Sequence, residues 1–174
     1  MDLPEIGVFT PQNARDQAMA ARLAAFLARE SAAFGRDPAT GHVTGSAVVV
    51  NPARDKMVLT RHATQGRWLH PGGHCDGIRD PRFVALKEAY EKSGLPRIDP
   101  LGSDILDIDI HESPACGADP AHLHYDLRYV FIAAESPPRA LAESTALAWV
   151  PLARLQDYSD DASVLVLRDK LARI

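Results

Sequence analysis

From Asp104 the chain reads DILDIDIHES, and from His122 it reads HLHYDLRYVFIAA. Both runs alternate apolar and polar residues with a period of two. A strand satisfies that pattern, because successive side chains point to opposite faces of a sheet. Leu106, Ile108 and Ile110 share one face of the first run, and Asp107, Asp109 and His111 share the other. In the second run Leu123, Tyr125, Leu127 and Tyr129 oppose His122, His124, Asp126 and Arg128. The intervening ESPACGADPA lets the two strands pair antiparallel. The simplest register sets His111 beside His122, Asp109 beside His124 and Asp107 beside Asp126. The polar rows then form a wall too rich in ionisable groups for a dry core. Such a wall is either a solvated face or the lining of a cleft.

The remaining periodicities place this pair in a larger frame. Thr10-Pro11 reads as a helix start. From Asn13 to Phe34 the chain is alanine-rich, with Met19, Leu23, Phe26, Leu27 and Phe34 at helical spacing, and Gly35 and Pro38 close the segment. HVTGSAVVVNP, from His42, reads as a buried strand turned at Asn51-Pro52, with KMVLTRHA from Lys56 as its hairpin partner. ALAWVPL, from Ala146, is a short strand, and 161–173 reads as a final helix. Helix, strands, helix, strands, helix is the order of an α+β fold with a mixed sheet between helices, not of alternating βαβ winding. A chain of 174 residues suits one domain with a sizeable core.

A formal net charge of −4 argues against a chain that coats nucleic acid, which needs clustered Lys and Arg. It leaves room for a small phosphorylated substrate. Two cysteines, Cys75 and Cys116, are too few for a disulfide scaffold and read as inert. They point to a reduced, cytoplasmic setting. MDLPEIGVFTPQ carries no signal-peptide pattern, and no stretch approaches a membrane span.

The most chemically loaded stretch is PGGHCDGIRDPRFVALKEAYEKSGL, Pro71 to Leu95. Asp80 and Pro81 suit a helix start and Gly94 a left-handed stop. On a helical wheel Phe83, Ala85, Leu86, Ala89, Tyr90 and Ser93 share one arc, while Lys87, Glu88, Glu91 and Lys92 share the other, with Val84 intruding. Glu88 and Glu91, three apart, are surface neighbours. Glu88–Lys92 and Lys87–Glu91 are also i,i+4 pairs that stabilise an exposed helix by roughly 0.2–0.5 kcal/mol each. The preceding Pro71-Gly72-Gly73 allows backbone to approach a ligand closely.

This stretch resembles the Nudix box, G-x5-E-x7-R-E-U-x-E-E-x-G-U with U bulky and apolar. Gly73 takes the first glycine, Glu88 and Glu91 two helical glutamates, and Gly94-Leu95 the end. Arg79 stands where a Glu is expected, with Asp80 next to it. Lys87 replaces Arg, Ala89 is small for its slot, and Lys92 replaces a Glu that commonly binds metal. VLTRHATQGRWLHPGG before the box and AESTALAWVPLARL after it are also similar to Nudix segments. The resemblance implies a Nudix-type α/β/α sandwich over residues 42–172, with residues 1–40 as an added helical extension in a single 1–174 domain. The added apolar helix offers a face on which a homodimer could form.

The resemblance further implies a hydrolase that cleaves a diphosphate in a nucleotide-like substrate with Mg²⁺ or Mn²⁺. Glu88, Glu91 and the Gly72 carbonyl are then the expected metal ligands, and Glu143, before the Trp149 strand, the general base. His74 and Arg128 are candidate substrate contacts, although Arg128 is equally explained by cross-strand pairing with Asp107 or Asp126. Because Lys92 removes a carboxylate, the outcomes are one metal instead of several, a site completed from elsewhere, or lost catalysis. Completion from the polar wall is the favoured expectation. His111, His122 and His124 are the candidates for a second metal, with Zn²⁺ the alternative ion because imidazole suits transition metals. A Nudix-fold binding module without cleavage, or a His/Asp metal hydrolase, are the competing readings. Trp68 and Trp149 read as packing residues.

Overall fold

Nine consecutive buried residues, His42–Val50, run through the middle of the molecule and organise everything else. The computed structural model describes residues 2–3, 6–36, 41–62, 66–115, 120–136 and 144–174. In chain order the elements are β1 (Asp2–Leu3), β2 (Gly7–Val8), α1 (Ala14–Arg29), β3 (His42–Val50), β4 (Lys56–His62), β5 (Trp68–Leu69), β6 (Gly72–His74), α2 (Pro81–Ser93), β7 (Asp99–Ser113), β8 (His122–Ile132), β9 (Ser144–Pro151) and α3 (Ala162–Leu171). The main sheet runs β5-β4-β3-β8-β7, with β6 also on β3 and β9 on β4. β3 and β8 are parallel and the remaining pairs antiparallel, so the sheet is mixed as expected.

Alternation on β3 and β8 gives the sheet two apolar faces, and helices cover both. Val43, Ala47 and Val49 join Tyr125 and Leu127 in one cluster with α1 and α2; Val48, Val50 and Val130 join α3 in the other. The result is an α/β/α sandwich. Among the described residues, no helix is long and apolar enough to cross a membrane.

Three local expectations are corrected. Helix α1 is shorter at both ends than 13–34 and does not start at Thr10-Pro11. Asn13 caps it instead, its side chain accepting the Asp16 N–H at 2.9 Å, and Glu30 is already extended. The apolar stripe of α1 packs on its own chain, with Phe26 stacked on Tyr125 at 3.9 Å between ring centroids. Second, β3 and β4 pair only at Val50↔Met57. Beyond that point β4 turns to β9, while β6 takes the β3 edge from Thr44 to Ser46. Splaying the hairpin inserts the glycine segment into the sheet, and a cleft opens there. Third, β7 and β8 pair two residues away from the simplest register, with His111↔His124, Asp109↔Asp126 and Asp107↔Arg128. A shift of two preserves the faces from Asp107 to His111, so the polar wall survives with different partners, but a bulge between Ile105 and Asp107 puts Leu106 in the cluster opposite to that of Ile108 and Ile110.

Candidate active site and histidine cluster

Asp80 caps α2 by accepting the Phe83 N–H at 3.0 Å, Pro81 follows it, and Gly94 closes the helix at φ 61°. The buried stripe differs from the wheel: Val84, Ala85, Glu88, Ala89 and Ser93 face inward, while Phe83 is 53% exposed. Val84 and Glu88 lie one turn apart on the side that meets β3 and β6, so Glu88 is carried inward with the apolar residues. Gly73 is what admits it. A Cβ at that position would stand 2.4 Å from the Glu88 carboxyl carbon.

Around Glu88 the charges are closely tied. Lys92 donates from Nζ to the Gly72 carbonyl at 2.6 Å and lies 3.2 Å from Glu88. Lys87 reaches Glu91 at 2.8 Å and Glu88 at 3.2 Å. Both i,i+4 pairs expected from the sequence are therefore formed. Glu91 is mostly exposed, and Glu88 is nearly buried. Arg79, at the position of the missing Glu, stands over the Phe34 ring at 5.1 Å. Asp80 is engaged as the helix cap and does not replace that Glu.

The floor of the cleft is the polar wall, joined by β3. Asp126 accepts from Thr44 Oγ1 at 2.8 Å and from Ser46 Oγ at 2.7 Å. Burial opposes its ionisation, but the adjacent His70 ring and Arg128 guanidinium outweigh burial and hold it well below the usual carboxylate range. Burial in turn lowers His70, whose Nε2 lies 3.6 Å from Asp126. Asp109 is likewise brought down to about 2: burial works against this, and hydrogen bonding to His111 and the charge of Arg128 prevail. His111 is raised by that same bond to Asp109, 3.0 Å long.

Arg128, a candidate substrate contact, lines the cavity and makes the ion pairs with Asp107 and Asp126 that were its other explanation. It is 1% exposed. Its Nε donates to Asp126 at 2.9 Å, and its Nη1 donates to Asp107 at 3.1 Å and to the Ser163 carbonyl at 2.6 Å. Its Nη2 lies 3.1 Å from Asp109. Three carboxylates and a carbonyl engage the fork from all sides. The network extends outward through Arg15, which donates to Asp107 at 2.8 Å and Asp109 at 2.7 Å, and through Lys170, which donates to Asp16 at 2.6 Å and lies 3.2 Å from Asp107.

At the open end of the wall, histidines gather. His122 Nε2 and His124 Nε2 stand 3.1 Å apart. His42 has ring centroids 4.9 Å from His74, 4.8 Å from His122 and 4.8 Å from His124. His74 lies 5.2 Å and His111 5.5 Å from His124. Burial first, and then the positive potential of neighbouring groups, lowers His74 and brings His124 down to about 3. Of the sequence candidates, His111, His122 and His124 are thus brought together, and His74 joins them. His42 and His70 were not anticipated. A signal for His42 did exist: it opens β3 with the same parity as Thr44 and Ser46.

Of these groups, His70, His74, His111, His124, Glu88 and Asp126 border a cavity of about 630 Å³, with Ser46, Gly73 and Arg128 also in its lining. Glu143 and Cys116 lie outside the described residues. Cys75 is buried, which pushes its thiol up to about 12, in keeping with an inert residue. Trp68 packs edge-on to Tyr158 at 5.4 Å, and Trp149 packs against the core.

A family model described as NUDIX domain matches residues 41–168. Among solved structures, a NUDIX-family hydrolase from Clostridium perfringens is 23% identical, with a TM-score of 0.55, covering 76% of this chain and 97% of the other. The NUDIX domain of Shewanella oneidensis NrtR, solved with ADP ribose, is 20% identical with a TM-score of 0.54, covering 86% and 96%. A C. elegans Ap4A hydrolase is 16% identical with a TM-score of 0.54, covering 75% and 95%. At these identities the likeness is one of fold. No curated protein matches the chain in sequence.

Proposed function

This chain belongs to the Nudix family, and from that premise we propose that it hydrolyses a phosphoanhydride bond in a nucleotide-like diphosphate with the aid of a divalent cation. The observation that carries the reading is the Glu88 carboxylate, seated on Gly73 beside the Gly72 carbonyl and facing the cavity.

The donor set suits a hard cation in kind. Glu88, Glu91 and the Gly72 carbonyl are all oxygen donors, which Mg²⁺ and Mn²⁺ prefer. The bridging position of Lys92 supports a cation-binding character at this point, because a positive charge already joins the carbonyl and the carboxylate. A bound divalent ion supplies charge neutralisation for the diphosphate and a more acidic water. Gly73 keeps the backbone low enough for Glu88 to face the cavity. Here the Lys92 ammonium gives up the Gly72 carbonyl to the cation, and its three donors on a flexible stem then serve a phosphate oxygen. In this reading Glu143 takes the proton from water as general base. Ser46 and Thr44 are committed to Asp126 and keep that carboxylate fixed in the floor.

The test is a substrate panel of nucleoside triphosphates, ADP-ribose and dinucleoside polyphosphates with Mg²⁺ or Mn²⁺, scored by phosphate and mononucleotide release. Turnover well above a Glu88→Gln control is expected. Equal rates in the two proteins across the panel would remove the hydrolase reading.

One observation favours a second reading. Lys92 occupies the point between Gly72 and Glu88 with its own charge. If that charge substitutes for the metal permanently, the chain is a nucleotide- or partner-binding module that does not cleave. Tight nucleotide binding without metal and without turnover is the outcome that selects it.

A further inference from the structure

We propose that His42, His74 and His124, with His122 as a fourth ligand, form a binding site for a first-row transition-metal dication, distinct from the carboxylate site at Glu88. One ligating nitrogen from each of His42, His74 and His124 lies within 4.8 Å of the others. Two imidazole nitrogens bound to one tetrahedral zinc stand about 3.3 Å apart, given Zn–N bonds near 2.0–2.1 Å. The His122–His124 pair, at 3.1 Å, already has that spacing.

The four residues come from three elements and the register that unites them. His42 opens β3 and lies directly beside His124 in the parallel β3–β8 pairing. His74 ends β6, whose antiparallel pairing sets it opposite Thr44 on the same β3 strand. His122 is two residues before His124 and so shares its face. His122 also has the support that a ligating histidine needs: its Nδ1 stands 2.7 Å from the Pro120 carbonyl. A carbonyl only accepts, so Nδ1 carries the proton and Nε2 presents its lone pair to the cluster.

The donor chemistry selects the ion. An all-imidazole set suits Zn²⁺, Ni²⁺, Cu²⁺ or Fe²⁺ and is a poor match for Mg²⁺, which prefers oxygen. His111 is left out of the set because its ring lies 5.5 Å from that of His124, the longest of these separations. His74 and His124 also line the cavity that Glu88 borders, so an ion here adds positive charge at its rim. The proposal does not rest on the hydrolytic reading, since a chain that binds nucleotide without cleaving it would keep the same four imidazoles.

The experiment uses the full chain without a polyhistidine tag, freed of metal by chelator and titrated with Co²⁺ and Zn²⁺. A single equivalent of Co²⁺ should give the visible absorption of a four-coordinate nitrogen site, and Zn²⁺ should displace it. The variants His74→Gln and His122→Gln, both at half-buried positions, should each weaken Zn²⁺ affinity by about tenfold or more. Glu88→Gln should leave it unchanged. Circular dichroism confirms that each variant is folded, and zinc-edge X-ray absorption on the wild type provides a check that needs no variant. Absence of stoichiometric Co²⁺ or Zn²⁺ binding, oxygen-dominated coordination, or affinity lost in Glu88→Gln but kept in the histidine variants would overturn the site.

Discussion

Lys92 places its ammonium 2.6 Å from the Gly72 carbonyl oxygen, at the same time lying 3.2 Å from Glu88. It thereby bridges a backbone carbonyl and a carboxylate in the cleft. A divalent cation bound there must displace this ammonium or share its ligands. Replacing Lys92 by Glu removes the competitor and adds a carboxylate. Lys92→Glu is expected to raise Mg²⁺ affinity about tenfold or more, since cation sites tighten with ligand charge. Calorimetric titration measures it, and unchanged or weaker affinity would show that the side chain does not compete with the metal.

Glu88 and Glu91 are one turn apart but unequally placed. The Glu88 side chain is 12% exposed and faces the cavity; that of Glu91 is 56% exposed and held by Lys87. Glu88→Gln is therefore expected to lower turnover by about a hundredfold, and Glu91→Gln by about tenfold with little change in Tm. The mild stability effect follows because a surface pair contributes only about 0–1 kcal/mol. Wild-type turnover in Glu91→Gln would remove that residue from the metal site.

Arg128 ties three carboxylates together inside the fold, and its expected role is to hold them in place. Arg128→Met leaves Asp107, Asp109 and Asp126 without their shared counterion, and removing one partner of a buried pair costs about 3–5 kcal/mol. The milder Arg128→Lys keeps the charge but loses the fork, and should lower Tm while leaving KM near wild type. A large rise in KM at unchanged Tm would restore the phosphate-clamp role.

Asp16 predicts where acid weakens the protein. Burial opposes its charge, but the hydrogen bond and charge of Lys170 prevail, so its folded pKa lies below the ordinary value near 4. The contribution is fully present above the unfolded pKa and is lost as pH falls through the folded one. Asp16→Asn should therefore be less stable than wild type by the same margin at pH 7 and pH 5, and the gap should close below about pH 4. Urea melts across pH 7 to 3 measure this; a gap that persists unchanged at pH 3 contradicts the pairing.

What the chain determines locally could be read directly from it. The alternation from Asp107 to His111 and from His122 to Tyr129 sets strand faces, though not the bulge that turns Leu106 over, and Asp80, Pro81 and Gly94 bound α2 through their own dihedral preferences and hydrogen bonds. The glycine bend and the Glu88–Glu91 spacing likewise carried the Nudix resemblance without tertiary information. What only the tertiary structure decided is how separate segments align. Registers that differ by two residues present the same faces, so periodicity could not choose between His111↔His122 and the observed His111↔His124. Nor could it show that β6 displaces β4 from the β3 edge, which brings His74 to His42, or that α2 rolls Glu88 inward with Val84. Those outcomes follow from packing between residues far apart in sequence, where burial of whole elements outweighs any local preference.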